Sequence, residues 1–138
     1  MATDLATVAG ELRVVLGQLI RRLRAEHRFS LSQATVLGRL DRAGPRSIGE
    51  LATAERVRPQ SMAQTVSELE ADGLVERRPD PGDRRRALVS LTAAGRAALL
   101  EDRRRREGWL AQAIASRLSL HEQAVLREAV GLLGRLAE

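Results

Sequence analysis

The stretch SIGELATAERVRPQSMAQTVSELEADG, residues 47–73, decides how this chain is read. Ser47 followed three residues later by Glu50 is a capping box, in which each residue satisfies a backbone donor of the other. It opens a short helix, Ile48 to about Glu55. Val57-Arg58-Pro59 breaks the pattern, and Pro59 suits the first turn of a new helix, where its missing N–H costs nothing. Met62, Val66 and Leu69 recur at spacings of four and three, so one side of this second helix is buried. The helix runs to Asp72, and Gly73 stops it.

Downstream the period of the apolar residues changes to two. Leu74 to Arg78 is a strand candidate, Pro79-Asp80-Pro81-Gly82-Asp83 is dense in turn formers, and Ala87 to Leu91 is a second strand. Together they form a β-hairpin whose tip carries Arg84-Arg85-Arg86. Thr92 caps a long helix from Ala93 to about Ser116. Ser119 and Glu122 form another capping box before a last helix with Leu120, Ala124, Leu126, Val130, Leu133 and Leu136 apolar. Upstream, Ser30 and Gln33 form a capping box for a helix through about Leu40, which Gly44-Pro45 ends. Leu5, Val8, Leu12, Val15, Leu16, Leu19 and Leu23 make an amphipathic helix within Asp4–Glu26. The expected fold is mainly α with one small β-hairpin.

Composition narrows the function classes. The chain has 138 residues, the size of one domain. Hydrophobic residues make up 43% and charged residues 30%, as in a soluble globular protein. No apolar run reaches a membrane span. The start, Met1-Ala2-Thr3-Asp4-Leu5, has no basic segment followed by an apolar stretch, so the expected compartment is the cytoplasm. With no cysteine there is no disulfide, thiolate metal site or thiol redox sensor. His27 and His121 have no ligand cluster around them, so no metal or other cofactor is expected. An enzyme reading lacks parts: there is no Cys, Lys or Tyr, no glycine-rich phosphate loop, and no His/carboxylate spacing for a catalytic pair. The net charge is +5, and all 23 basic residues are Arg. A GC-rich coding bias accounts for most of the missing Lys, so the placement of the arginines says more than their number. With Phe29 and Trp109 the only aromatic residues, a stacking platform for single strands is not expected.

The order of elements carries the functional reading. In helix-turn-helix proteins the second helix of a pair enters the major groove. Here that helix exposes Gln60, Ser61, Gln64 and Thr65 in its first turns, and Gln pairs bidentately with adenine. Alone, such a face is an ordinary solvated one. A stiff hairpin with an arginine tip, following at once, changes the balance, because the minor groove attracts inserted Arg.

At this point the chain resembles a known family. Leu51-Ala52, Val57 to Ser61 and Leu69 to Val75 look like the helix-turn-helix of the MarR family. Asp83 to Gly95, an Asp-x-Arg followed by a strand ending in Leu-Thr and then Gly, resembles that family's wing. The resemblance is specific over Ser30 to Gly95. It implies a homodimeric winged helix-turn-helix regulator of transcription, most relatives being repressors. As one domain over 1–138, it would comprise a DNA-binding lobe at 30–95 and dimerisation helices at 4–26 and 96–137. Carried over by residue, it implies that Gln60, Ser61 and Gln64 face bases, with Arg58 and Thr65 nearer phosphate. Ser47 would direct its helix N-terminus at phosphate. Arg85 would enter the minor groove, Asp83 would hold the Arg85 guanidinium, and Arg84 and Arg86 would contact phosphate. Gln64 stands where many relatives carry Arg.

The terminal helices exceed what one small domain covers, so a homodimer is expected through Leu5, Val8, Leu12, Leu126, Val130 and Leu133, on a near-palindromic double-stranded site. The resemblance also implies a pocket for small aromatic acids or phenols, with His27, Phe29 and Trp109 as candidates. The scarcity of rings favours the alternative: core packing for Phe29 and Trp109 and a solvent-facing His27. Arg103 to Arg106 point all around their helix and read as a solvated face paired with Glu101, Asp102 and Glu107. The runner-up function is a winged helix that binds protein instead of DNA.

Overall fold

The computed structural model describes residues 2–138; Met1, the first residue of the expected domain, lies outside the described residues. The elements, in chain order, are α1 (Leu5–Arg24), α2 (Leu31–Ala43), α3 (Ile48–Glu55), α4 (Pro59–Ala71), β1 (Val75–Pro79), β2 (Ala87–Leu91), α5 (Ala93–Arg117) and α6 (Leu120–Leu136). All three capping boxes form: Ser30 with Gln33, Ser47 with Glu50 and Ser119 with Glu122, side chain to backbone in both directions. Each satisfies donors that a helix start otherwise leaves without partners.

The chain divides into two compact units, His27–Arg103 and a second made of the residues up to Glu26 together with Arg104–Glu138. The first unit holds the core. Val36, Leu37 and Leu40 of α2 meet Leu51 of α3, Met62, Val66 and Leu69 of α4, and Val75, Val89 and Leu91 of the hairpin. Leu37, Leu51, Val66, Leu69 and Val89 are completely buried. Each such side chain contributes about 1.5–3 kcal/mol by leaving water.

The turn between α3 and α4 is made by Arg56, in the left-handed region at φ 56°, ψ 43°, where it caps α3. Its N–H and that of Val57 return to Thr53 and Ala52 carbonyls. Pro59 then starts α4 at its first position. At the other end of α4, Gly73 takes φ +74°. Its N–H bonds the Glu70 carbonyl, and the Leu74 N–H bonds the Leu69 carbonyl. This pair of bonds is a Schellman closure. It commits Leu74 to the helix end, so the strand expected from Leu74 starts instead at Val75.

β1 and β2 pair antiparallel, from Val75 opposite Leu91 to Pro79 opposite Ala87. Pro79, expected in the turn, is the last strand residue. β1 is an edge strand, where a residue without N–H is tolerated. On its other side β2 meets Arg46 through an isolated bridge at Val89.

Thr92 and Gly95 join the hairpin to α5. The Thr92 hydroxyl donates to the Gly73 carbonyl at 2.7 Å and accepts from the Gly95 N–H at 3.0 Å. The Thr92 N–H bonds the Leu74 carbonyl. Gly95 is buried so closely that a Cβ there would lie 2.0 Å from the Leu74 carbonyl oxygen. The Leu-Thr followed by Gly read in the sequence is therefore a packing requirement, since the helix start lies on the backbone of the strand.

The second unit has a different character. Neither α1 nor α6 contains a buried residue. Within this unit Trp109 lies beneath the Arg22 guanidinium at 4.4 Å, a cation–π contact, and Arg22 also pairs with Glu26.

Candidate nucleic-acid interface

The interface candidate belongs to the unit His27–Arg103. Met62, Val66 and Leu69 turn one side of α4 into the core, which leaves Gln60, Ser61 and Gln64 exposed on the other. The side-chain amides of Gln60 and Gln64, one helical turn apart, have no protein partner among the described residues. Each amide presents a donor and an acceptor, the pair that bidentate adenine contacts require. Arg58 is exposed and supplies no side-chain cap. Thr65 is half-buried, and its hydroxyl donates to the Ser61 carbonyl at 3.2 Å.

Polar ties hold α4 to α2 and to β1. Gln33 of α2 donates to Glu68 at 3.2 Å. Arg77 of β1 donates to the Ser67 hydroxyl at 2.9 Å and pairs with Glu70 at 3.4 Å. Between the preceding helices, Arg39 bonds Glu55 at 2.6 Å. Such exposed pairs contribute little stability each, but together they fix orientation. Ser47 is buried, and its hydroxyl accepts from the Glu50 N–H, so its role is to cap α3.

The wing loop is organised by its aspartates. Asp80 accepts from the Gly82 N–H at 2.9 Å, and Asp83 accepts from the Arg85 N–H at 3.0 Å. Asp83 was expected to hold the Arg85 guanidinium; it binds the Arg85 backbone instead. An Asp accepting from an N–H two residues on builds a tight turn, and that geometry aims its carboxylate at backbone rather than side chain. The ion pair forms elsewhere. Arg86 bonds Asp80 at 2.7 Å and reaches Glu50 of α3 at 3.4 Å. The Arg84 and Arg85 guanidinium groups are exposed and have no partner among the described residues. The Arg86 hydrogen bond holds the Asp80 carboxyl below the usual carboxylate range. Glu50 is likewise lowered, first by the Ser47 backbone N–H, and Asp80 in turn raises Arg86.

The residues offered for an aromatic ligand belong to different units. Phe29 is core, 8% exposed. His27, read as solvent-facing, is not: its Nδ1 lies 2.8 Å from an Asp102 carboxylate oxygen, and its side chain is 16% exposed. The other oxygen of Asp102 accepts from the Arg28 N–H at 2.7 Å. Trp109 belongs to the other unit, beside Arg22. Asp102, expected in a solvated charged face, is buried, and Arg103 pairs across to Asp41 at 3.7 Å. Among the dimerisation candidates, Leu5, Val8 and Val130 are exposed and Leu12, Leu126 and Leu133 are half-buried. No helix among the described residues is long and apolar enough to cross a membrane.

Sequence reasoning missed the pairing of Arg86 with Asp80 and Glu50, the pairing of Asp102 with His27, and the Thr92 bond to Gly73. Thr92 was legible as a cap, but its bond to Gly73 spans 19 positions.

The sequence model of the MarR family matches residues 29–86. The HTH-type transcriptional regulator MT0903.1 of Mycobacterium tuberculosis (strain CDC 1551 / Oshkosh) is 37% identical over 136 residues, which cover 96% of this chain and 94% of that protein. A crystal structure of a Pseudomonas aeruginosa PA01 protein assigned as a transcriptional regulator superposes with a TM-score of 0.85 at 40% identity, over 99% of each chain. The HTH-type transcriptional repressor NicR of Pseudomonas putida is 47% identical over 58 residues, covering 42% of this chain and 36% of that one. Six helices and one two-stranded antiparallel sheet among the described residues match the winged-helix architecture of solved MarR structures, and the family and its relatives are transcription regulators, not enzymes. The chain belongs to the MarR family of DNA-binding transcription regulators.

Proposed function

We propose that this chain is a repressor that binds a near-palindromic operator as a homodimer, reading bases with Gln60, Ser61 and Gln64 and the minor groove with Arg85. The observation that carries the reading is that the free glutamine amides of α4 and the free guanidinium groups of the wing belong to one compact unit. Arg58, Arg84 and Thr65 are its phosphate-side contacts. The name of NicR, a repressor, supports the sign of regulation. The dimer is supported by α1 and α6, which bury nothing alone while Leu5, Val130 and Leu136 are 74%, 61% and 76% exposed. Two-fold symmetry then sets the recognition helices on half-sites about one helical turn of DNA apart, roughly 34–36 Å. A cytoplasmic location accords with this role.

Salt titration of duplex binding tests the reading. A duplex binder loses affinity with a log–log slope of roughly −0.9 per phosphate neutralised, whereas a protein-binding winged helix shows no such response. Arg85→Ala is expected to weaken binding far more than Arg104→Ala; equal effects remove the wing from the mechanism. Release by a small aromatic acid is the effector part of the proposal. Trp109 is the only tryptophan, so its emission reports such a ligand directly. Unchanged emission, together with unchanged operator affinity, over a series of aromatic acids removes the effector.

A further inference from the structure

Arg86 stands apart from the two arginines before it. Arg84 and Arg85 carry free guanidinium groups, whereas Arg86 is bonded to Asp80 at 2.7 Å within the wing loop and reaches Glu50 at 3.4 Å on α3. Neither carboxylate is idle. Asp80 also accepts the Gly82 N–H, and the Asp80 N–H bonds the Arg86 carbonyl at 3.0 Å, so loop backbone and side chains close on one another. Glu50 also accepts the Ser47 N–H at 3.2 Å in the cap of α3. One guanidinium therefore joins the start of α3 to the base of the wing tip. With Asp80 and Glu50 ionised, this group of three side chains carries a net negative charge, which repels phosphate.

We propose that Arg86 is a positioning residue: by bridging Asp80 and Glu50 it fixes the wing loop to α3, so that Arg84 and Arg85 reach the duplex in register with α4. This rests on the reading of the wing given above and revises the phosphate role assigned to Arg86. The two roles predict opposite signs. If Arg86 holds phosphate, Asp80 and Glu50 only repel the duplex, and neutralising either tightens binding. If Arg86 positions the wing, neutralising either frees the loop and weakens binding, although a negative charge has been removed. An untied wing that holds its competent geometry a tenth of the time raises the apparent Kd about tenfold.

The experiment uses the full chain and a duplex that the wild-type protein selects from a random pool. Affinities are measured for wild type, Arg85→Ala, Asp80→Asn, Glu50→Gln and Arg86→Lys, with melting curves to verify the fold. Asp80→Asn is expected to weaken binding about tenfold, and Arg86→Lys to weaken it while keeping the charge, because one ammonium does not reproduce a planar bridge between two carboxylates. In an Arg86→Ala background, Asp80→Asn should weaken binding no further. Glu50→Gln also touches the cap of α3, so Asp80→Asn decides. Unchanged or tighter binding by Asp80→Asn overturns the proposal, as does wild-type affinity for Arg86→Lys. If Arg85→Ala binds like wild type, the wing reading itself fails; if Arg85→Ala is weak while Asp80→Asn is not, the positioning role alone fails.

Discussion

Replacing Gly95 by Ala adds a single methyl group where the start of α5 rests on the end of the α4–β1 turn. The new carbon would lie 2.0 Å from the Leu74 carbonyl oxygen, 3.0 Å from the Leu74 carbonyl carbon and 3.1 Å from a Leu91 methyl. The oxygen is not free to yield, since it accepts the Thr92 N–H at 3.1 Å. Relief requires α5 to lift by about an ångström, which strains the Thr92 bonds to Gly73 and Gly95. Two weakened hydrogen bonds cost about 1 kcal/mol each. Overpacking adds about 1–3 kcal/mol, and the better helix propensity of Ala returns about 1. The net loss is about 2–4 kcal/mol, which for a chain of this size lowers Tm by roughly 8–15 °C. Gly108 lies in the same helix, and a methyl group added there would meet nothing within 4 Å, so Gly108→Ala should raise Tm slightly. Thermal melting followed by far-ultraviolet circular dichroism compares the two. A Gly95→Ala protein as stable as wild type would refute the packing argument.

Three further outcomes follow from the same structure. Asp102 is 1% exposed and accepts from Arg28 N–H beside His27, so Asp102→Ala removes the partner of a part-buried donor and should cost about 1 kcal/mol, read as a lower urea midpoint. Val130→Asp places a charge on an exposed apolar position of α6 and should convert the proposed dimer to monomer in sedimentation; a dimer that persists in the variant would move the interface off this helix. Glu50, Asp80 and Glu122 all have carboxyls lowered by hydrogen bonds, so the unfolded chain binds more protons in the acid range. Their stabilisation is fully present above the ordinary carboxylate values and is lost as pH falls through the lowered ones. Glu122→Gln should flatten the acid side of the Tm–pH profile, and an unchanged profile would count against that cap.

Local rules were legible in the sequence. Each capping box needs only a Ser and a partner three residues on, so Ser30, Ser47 and Ser119 announced their helices. The exposed face of α4 was legible for the same reason: spacing alone turned Met62, Val66 and Leu69 inward and left Gln60 and Gln64 outside. The start of β1 slipped by one because the helix closure at Gly73 claims Leu74, a competition between two hydrogen-bond systems that alternation does not register. The side-chain pairs were out of reach for a different reason. His27 and Asp102 are separated by 75 positions, and Arg86 meets Glu50 from another element. Charge spacing along one helix favoured the near arginines for Asp102, whereas the fold set it against His27; the Asp83–Arg85 ion pair was implied by the family resemblance, and Asp83 holds the Arg85 backbone N–H instead.

The bridge between Arg46 and Val89 gives the wing a graded stiffness. At Val89 the strand has a neighbour on both flanks: Arg46, which takes its N–H at 2.7 Å and its carbonyl at 3.1 Å, and Arg77, which stands opposite it in β1; toward Pro79 and Ala87 only one flank remains, and beyond lies loop. The hairpin is thus a cantilever, clamped at its root and free at its tip. Amide hydrogen exchange should run slowest at Val89 and quicken outward, and that same double flank leaves β2 no open edge at its root for a foreign chain to join.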